Sequence, residues 1–254
     1  MLNFAERILT AKIGATHIFF VGQAGFIIKS ASGQMLAIDL YLSDCVERAE
    51  GNIGFKRLLP KILSPDDIQF DAVVCTHQHL DHFDAEAIPQ MICNGRTELF
   101  CSMDCMELTE QLGLGYYGSK IKYVKPFESY DIGDFHIDFV GCDHGTSAPG
   151  AVGLVVNIDG KKIYETGDTC LRLDHIDKVP NNLDVLIAPI NGAFGNMDEY
   201  DCAKFAEGLK PALTIPCHYG MFASHRGDIG KFYEIMTGKR LAFLPMCLGE
   251  QYTF

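Results

Sequence analysis

The hydrophobic positions of the chain recur at the spacing of short β-strands over most of its length. The segment HIFFVGQAGFIIKSASGQMLAIDLYL alternates and turns at Ser32-Gly33, a pattern that predicts a β-hairpin. A second hairpin is predicted in GLVVNIDGKKIYETGD, with its turn at Asp159-Gly160. Continuous apolar runs predict buried strands in DAVVCTH and LDVLIAPI. Other strands are predicted in TELFCS, IKYVKP, HIDFVGCDH and ALTIPCH.

Helical patterns lie between these strands and become regular in the last third of the chain. Short helices are predicted in DAEAIPQMIC and in DCMELTEQLG, which ends at Gly113. The segment MDEYDCAKFAEGLK is amphipathic, and another helix is predicted from about Ile229 to Met236. Strands dominate the first two-thirds of the chain, and strands alternate with helices after them. This order favours two packed sheets with helices outside, an α/β fold of the four-layer αββα sandwich type.

The length and composition predict a single domain that spans residues 1-254. Of the 254 residues, 48% are hydrophobic, and the sequence shows no linker, repeat or low-complexity segment. Lys and Arg number 21 against 33 Asp and Glu, which gives a formal charge of −12. This balance argues against a nucleic-acid partner, because binding to phosphates requires a basic surface. A small-molecule substrate is the partner expected instead.

Three features of the sequence favour a cytoplasmic protein with no membrane partner. The sequence has no apolar run long enough to span a bilayer. The first segment, MLNFAERILTAKIG, is helix-like and lacks the basic head and apolar block of a signal peptide. The ten cysteines are mostly scattered in apolar stretches, which is typical of reduced, buried thiols. The sequence leaves the oligomeric state open, a homo-oligomer included.

Candidate chemistry is concentrated where DAVVCTHQHLDHFDAEAIP leaves its predicted strand. His77, His79, Asp81 and His82 lie within six positions. His77 and His79 are two residues apart, so their side chains point to the same side of an extended segment. A single histidine at a strand end is usually an ordinary polar residue. Three imidazoles and a carboxylate in one short segment would be costly to bury without a partner, so they indicate metal binding.

Three further residues with metal-binding side chains follow predicted strands. His144 follows DFVGCD, Asp168 follows KKIYETG, and His218 follows LTIPC. Strand ends are suitable positions for ligands, because the sheet fixes the side chain while the next loop leaves room for a substrate. A mixed set of imidazoles and carboxylates suits zinc, manganese or iron. Two such ions a few Å apart would hold a hydroxide at neutral pH.

The stretch THQHLDH resembles the H-x-H-x-D-H signature of the metallo-β-lactamase superfamily. The resemblance continues through His144, through TGDT with Asp168 and through PCHYGMF with His218. It implies an αββα sandwich with two divalent metal ions at one edge of both sheets, zinc or manganese first and iron also open. It further implies that Asp168 bridges the ions and that Asp81 and Asp168 are catalytic. The implied ligand groups are His77, His79 and His144 for one ion, and Asp81, His82 and His218 for the other.

Three longer segments are similar to the branch of this superfamily that contains the ascorbate-6-phosphate lactonases. These segments are GQAGFIIKSASGQMLAIDLYLSD, PINGAFGNM and LTIPCHYGMFAS. The resemblance implies a metal-dependent hydrolase whose metal-bridging hydroxide attacks a small lactone or a sugar-phosphate-like compound. Two alternatives remain open at this point. One is a metal-dependent phosphodiesterase or nuclease, and the other is a non-hydrolytic di-iron redox or sensor protein.

Several residues near the proposed ligands are candidates for supporting roles. Asp39 ends a predicted strand, and the resemblance suggests that it orients a ligand imidazole; an ordinary turn residue is the alternative. The candidates for substrate contacts are Asn191, Asn196, Tyr219, His225 and Arg226. His225 and Arg226 would bind an anionic group, the asparagines would form hydrogen bonds, and Tyr219 would donate to an oxyanion. Solvated loop, turn and core-packing roles are the respective alternatives.

Overall fold

The computed structural model describes residues 2–254, which form two β-sheets packed face to face. Their strands are β1 (His17–Gly22), β2 (Gly25–Lys29), β3 (Met35–Ile38), β4 (Ala72–Cys75), β5 (Glu98–Ser102), β6 (Ile121–Val124), β7 (Ser129–Ile132), β8 (Phe135–Gly141), β9 (Val152–Ile158), β10 (Lys161–Glu165), β11 (Val185–Pro189), β12 (Leu213–Cys217) and β13 (Gln251–Thr253). The first sheet has the strand order β13-β1-β2-β3-β4-β5-β6, and the second has the order β12-β11-β10-β9-β8-β7.

Each sheet combines antiparallel and parallel strand pairs. In the first sheet β13, β1, β2 and β3 are antiparallel neighbours, whereas β3 to β6 run parallel. In the second sheet β7 to β10 are antiparallel, whereas β10, β11 and β12 run parallel. Strands β4, β10 and β12, each of which has a parallel neighbour, are followed by residues of the candidate site.

Helices cover the outer faces of both sheets. Within residues 2–254 the α-helices are α1 (Phe4–Thr10), α2 (Cys45–Glu50), α3 (Ile88–Ile92), α4 (Met106–Gln111), α5 (Glu199–Leu209) and α6 (Ile229–Lys239). Apolar side chains of α1 and α3 pack on the first sheet, and those of α5 and α6 pack on the second. A third apolar cluster lies between the sheets and includes Phe20, Phe26 and Phe139. This architecture confirms the αββα sandwich expected from the sequence.

The ends of the helices are stabilised by specific polar contacts. Asn3 and Glu6 form a capping box at the start of α1, each side chain accepting from the other residue's backbone N–H. At the other end of α1, the buried ammonium of Lys29 donates to the carbonyl oxygens of Ile8, Leu9 and Ala11 at 2.8–3.1 Å. Burial lowers the pKa of Lys29, yet these carbonyls provide the partners that a buried ammonium requires.

Three short elements were not expected from the sequence. Strand β7 has half-exposed or exposed positions throughout, β13 contains only three residues, and α2 contains six. Such elements bury too little apolar surface to leave a periodic pattern. None of the helices in the part of the chain that the structure describes combines the length and the apolar character needed to cross a membrane.

Candidate metal centre

The proposed ligands meet at one edge of the sandwich, where strands of both sheets end. His77 lies two residues after β4 of the first sheet, and the chain then turns back because the N–H groups of His82 and Phe83 both donate to the carbonyl oxygen of His79. His144, Asp168 and His218 follow β8, β10 and β12 of the second sheet. The site is thus assembled from both sheets. The first sheet contributes four ligand candidates: His77, His79, Asp81 and His82.

Ligand atoms of His77, His79 and His144 form one compact group. His77 Nε2 lies 2.9 Å from His79 Nδ1, and His144 Nε2 lies 3.2 Å from the same atom. All three residues offer a ring nitrogen within 4.8 Å of the others. The arrangement brings together the three imidazoles that the resemblance to the superfamily implies for one ion.

A second group combines Asp81, His82 and His218. His82 Nε2 lies 3.0 Å from His218 Nε2, and Asp81 Oδ2 lies 3.7 Å and 3.5 Å from these two nitrogens. Asp168 lies between the two groups. Its Oδ1 is 3.0 Å from His218 Nε2, and its Oδ2 is 3.4 Å from His82 Nε2 and 3.8 Å from His144 Nε2. Asp168 is therefore placed where a single carboxylate can reach both groups.

The donor set fits divalent metal ions. Nitrogen atoms of neutral imidazoles that face each other at about 3 Å cannot all be paired by hydrogen bonds, because each ring carries a single N–H. His144 Nδ1 is buried and has no hydrogen-bond partner within residues 2–254. Imidazole nitrogens with carboxylate oxygens are the mixed set that zinc, manganese and iron accept. These residues are suited to hold cations that would relieve the crowding of lone pairs.

The protonation states of His77, His144 and Asp168 also favour metal binding. Burial lowers the pKa of His77 well below its usual value and lowers that of His144 to about 4, so both rings are neutral near pH 7. Burial opposes the charge on Asp168, but the imidazoles of His218 and His82 outweigh it and lower the pKa of the carboxyl well below its usual range. Neutral imidazoles and an ionised carboxylate are the forms that coordinate metals. His82 is the exception: burial lowers its pKa, but the carboxylates of Asp168, Asp39 and Asp81 outweigh burial and raise the pKa well above its usual value, so a metal ion would have to displace a proton from this ring.

Asp39 contacts the ligand candidate His82 from the side opposite the cluster. His82 Nδ1 lies 2.7 Å from Asp39 Oδ2, and both residues are fully buried. Asp39 also accepts hydrogen bonds from the backbone N–H and the hydroxyl of Thr76, at 2.8 Å and 2.6 Å. A carboxylate that binds one ring nitrogen fixes the hydrogen there and leaves the other nitrogen, Nε2, free for a metal.

Gln23 is a further polar residue at the centre, and the sequence reasoning gave it no role. Its amide Nε2 donates to Asp81 Oδ2 at 2.8 Å and lies 3.1 Å from His218 Nδ1 and 2.8 Å from His225 Nδ1. The backbone carbonyl oxygen of Gln23 accepts from the backbone N–H of His218 at 2.8 Å. A buried glutamine between two strands, in the short turn GQAG, was the available signal.

Three residues of this centre have strained backbones. Gln23, Asp39 and His218 have φ values of 55°, 47° and 65°, in the left-handed region that side chains other than glycine rarely adopt. Such conformations persist only where the surroundings fix them, and they are typical of functional sites. All three residues are ligand candidates or contact one.

A cavity of about 730 Å³ opens over the cluster. Its floor contains the ligand candidates His79, Asp81, His144, Asp168 and His218, and its wall includes His225. Its apolar lining residues are Val46, Ile53, Phe55, Leu80, Leu108 and Phe194. Its other polar lining residues are Glu50, Gln78, Glu107, Gln111 and Ser147. The volume is typical of a small-molecule site.

The structure does not bring the other candidate substrate residues to this cavity. Tyr219 donates its hydroxyl to the carbonyl oxygen of Met246 at 2.6 Å and stacks on Phe20 in the core. Arg226 and Asn191 line a separate cleft of about 360 Å³ near the start of α6. Asn196 is buried, and its side chain finds no hydrogen-bond partner within residues 2–254.

Comparisons with known proteins agree with this geometry. A family model described as "Beta-lactamase superfamily domain" matches residues 17–218. A relative from Carboxydothermus hydrogenoformans, named UPF0173 metal-dependent hydrolase, is 30% identical over 231 residues, which cover 85% of this chain and 90% of that protein.

Two solved structures share the fold. Igni18, described as a novel metallo hydrolase from Ignicoccus hospitalis, superimposes with a TM-score of 0.70 at 22% identity and covers 94% of this chain and 98% of its own. CmlA, a diiron β-hydroxylase from Streptomyces venezuelae, superimposes with a TM-score of 0.69 at 12% identity and covers 96% of this chain and 54% of its own. At these identities the likeness concerns the fold alone.

Proposed function

This chain belongs to the metallo-β-lactamase superfamily and to its metal-dependent hydrolases, and on that premise we propose that a dinuclear centre hydrolyses a small lactone. His77, His79 and His144 would hold one ion, Asp81, His82 and His218 the other, and Asp168 would contact both. When bound, the two ions would activate water at neutral pH and stabilise negative charge on the reacting oxygen. Zinc and manganese are the ions proposed first, with iron next.

One observation carries this proposal: two compact ligand groups meet at Asp168 on the floor of a cavity of small-molecule size. The chain's own residues have definable parts in the reaction. Asp39 keeps the ring hydrogen of His82 on Nδ1, and the Gln23 amide holds the carboxylate of Asp81. A substrate that fills the cavity would displace water from the cluster, which would strengthen electrostatic interactions at the reacting carbonyl.

The charge of the cavity supports a lactone over a phosphorylated compound. No lysine or arginine of residues 2–254 lines it, and its charged residues outside the ligand groups are Glu50 and Glu107. A phosphate group would meet only these carboxylates and the metal ions, whereas phosphate sites in proteins normally provide arginine, lysine or helix N-termini. The same lack of cations in the lining is unfavourable for a nuclease.

The test combines metal analysis with a substrate panel. Protein purified without chelator should contain about two metal ions per chain, and the loaded enzyme should open lactones faster than it cleaves phosphoesters. Asp168→Asn should disturb both ions, because an amide oxygen is a weak neutral ligand, while His144→Ala should chiefly weaken one. Equal and small effects of the two substitutions would contradict the assigned positions.

A matched control is available in the separate cleft. Arg226 lies outside the cavity, so Arg226→Ala should leave the kcat/KM of every hydrolysed substrate within about twofold of the wild-type value. A decrease of kcat/KM in this variant that is confined to phosphorylated substrates would show that Arg226 binds an anionic group of the substrate. Turnover of phosphodiesters but not of lactones would contradict the proposed substrate class while leaving the metal centre in place.

A further inference from the structure

We propose that the substrate carries an uncharged hydrocarbon group and that Phe194 determines this specificity by forming one wall of its binding site. The proposal rests on the proposed hydrolase function and names the part of the substrate that does not react. It follows from three features of the cavity: a continuous aromatic wall, further apolar side chains in its lining, and the sign of the charges in that lining.

The aromatic wall extends from the mouth of the cavity to the ligand candidates. The ring of Phe194 lies 5.6 Å from that of Phe55 and 5.4 Å from that of His225. Phe222 supports both partners from behind, at 5.7 Å from Phe55 and 5.2 Å from His225. His225 in turn stacks on His218 at 4.8 Å with an interplanar angle of 28°. A group in contact with this wall is therefore next to the reacting centre.

Phe194 is exposed in a way that a folding role does not explain. Its side chain is 57% exposed, and its backbone has a φ of 56°, in the left-handed region that disfavours a phenylalanine. Glycine would fit that backbone, and the loop already contains Gly192 and Gly195 with positive φ. Phe127 shares the exposure and the positive φ but lies outside this cavity. A place in the lining of the cavity, and not the backbone alone, distinguishes Phe194.

Other parts of the lining are also apolar. Val46 of α2, Leu108 of α4 and the 66% exposed Ile53 line the same cavity as the aromatic rings. Exposed apolar side chains around a concave site are typical of a surface that binds an apolar ligand. Aryl and alkyl groups would lose contact with water when they pack against these side chains.

The charges at the cavity disfavour an anionic substituent. Glu50 and Glu107 are both exposed to solvent and line the same cavity. Gln111 donates to Glu107 at 2.9 Å, which keeps this carboxylate on the face of α4 that lines the cavity. A phosphate or carboxylate on the substrate would be repelled by these groups, while a neutral hydrocarbon would not.

Three lactones with one common ring test the proposal. They are γ-butyrolactone, γ-nonalactone with a pentyl substituent, and the corresponding ring with a phosphorylated hydroxymethyl substituent. We expect kcat/KM to be at least about tenfold higher for γ-nonalactone than for γ-butyrolactone, because burying a few methylene groups has an effect of that size. The phosphorylated lactone should be the poorest substrate of the three.

Variants of the two strained phenylalanines provide the matched comparison. Phe194→Gly should lower the ratio of kcat/KM between γ-nonalactone and γ-butyrolactone by about tenfold. Phe127→Gly relieves the same kind of backbone strain at a distance, and it should leave this ratio unchanged. A ratio that stays the same in Phe194→Gly, or a preference of the wild-type enzyme for the phosphorylated lactone, would overturn the proposal.

A binding measurement separates this proposal from the hydrolase function. The probe is 2-pentyltetrahydrofuran, which has the ring and the chain of γ-nonalactone without the carbonyl, and its binding to metal-loaded protein can be followed by ligand-observed NMR. Weaker binding to Phe194→Gly than to Phe127→Gly would support the hydrocarbon site even if no lactone is opened. Equal binding to both variants would contradict it, even if lactones are opened.

Discussion

Replacing Asp39 by asparagine should move the ring hydrogen of His82 from Nδ1 to Nε2 without removing any atom of the proposed ligands. In the wild-type protein the Asp39 carboxylate accepts a hydrogen bond from His82 Nδ1 at 2.7 Å. It also accepts from the backbone N–H of Thr76 at 2.8 Å and from the Thr76 hydroxyl at 2.6 Å. An asparagine that still accepts from the Thr76 backbone would present its NH₂ group to His82 Nδ1. The ring would then carry its hydrogen on Nε2, the atom that faces His218 and Asp168.

The magnitude follows from the role of such contacts in metal sites. Loss of the carboxylate behind a ligand histidine lowers metal affinity by about 10- to 100-fold, which corresponds to about 1.4–2.7 kcal/mol. The effect should fall on the ion held by Asp81, His82 and His218, because Asp39 contacts His82 within that group. The other ion should change its affinity by less than about threefold.

The assay is a competition titration of metal-free protein against a chelator of known affinity, which resolves two binding steps. Asp84→Asn is the control, because Asp84 is also fully buried and accepts backbone N–H groups of Leu42 and Ser43. It should reduce stability and leave both affinities near their wild-type values. Two unchanged binding steps in Asp39→Asn, or an equal loss at both steps, would refute the reasoning about His82.

Other predictions concern stability. Removing the metal should lower the melting temperature, since an ion that binds only the folded state stabilises it; metal-free protein that melts unchanged by calorimetry would contradict the centre. Lys29→Met should lower the free energy of unfolding by about 2–4 kcal/mol in urea titrations, because it leaves three carbonyls at the end of α1 without their donor; a loss below about 0.5 kcal/mol would show that water replaces Lys29. The Asp131 carboxylate raises the pKa of the half-exposed His136. The stabilisation of the folded protein by this pair should therefore be present below the unfolded pKa of about 6.5 and be lost as pH rises through the folded pKa. Relative to His136→Gln, the free energy of unfolding should change by less than about 1 kcal/mol over this range, and a change in the opposite direction with pH would refute the prediction.

The sequence predicts the sandwich well because its core strands are continuous or alternating apolar runs. It misses α2 and β7, whose side chains are largely polar or half-exposed. The seven ligand candidates were recognisable because each follows a strand or lies in one short motif, and their binding of metal stays a prediction until it is measured.

The remaining parts of the site depend on contacts between residues that are distant in the sequence. Gln23 contacts Asp81 and His218, which are 58 and 195 positions away in the sequence. A single glutamine in a turn does not predict such contacts. The sequence favours Arg226 as a substrate contact because it lies in the loop that follows His218, eight positions further on. In the structure this loop places Arg226 in the lining of another cleft. Phe194 lies in the loop between Asn191 and Asn196, and the sequence pattern gives it no role because a single phenylalanine in a loop indicates no contact.

The turn that contains Gln23 also has a mechanical consequence. The turn belongs to the first sheet, but it binds the backbone and the ring of His218, which follows the last strand of the second sheet. Each proposed ion would likewise connect ligands of both sheets, so that it acts as a cross-link between the two halves of the chain. We expect a cell that is short of metal to contain a protein whose sandwich opens first at this edge. Proteases would then cut at the loops after β4 and β12, and the supply of metal would set the lifetime of the protein.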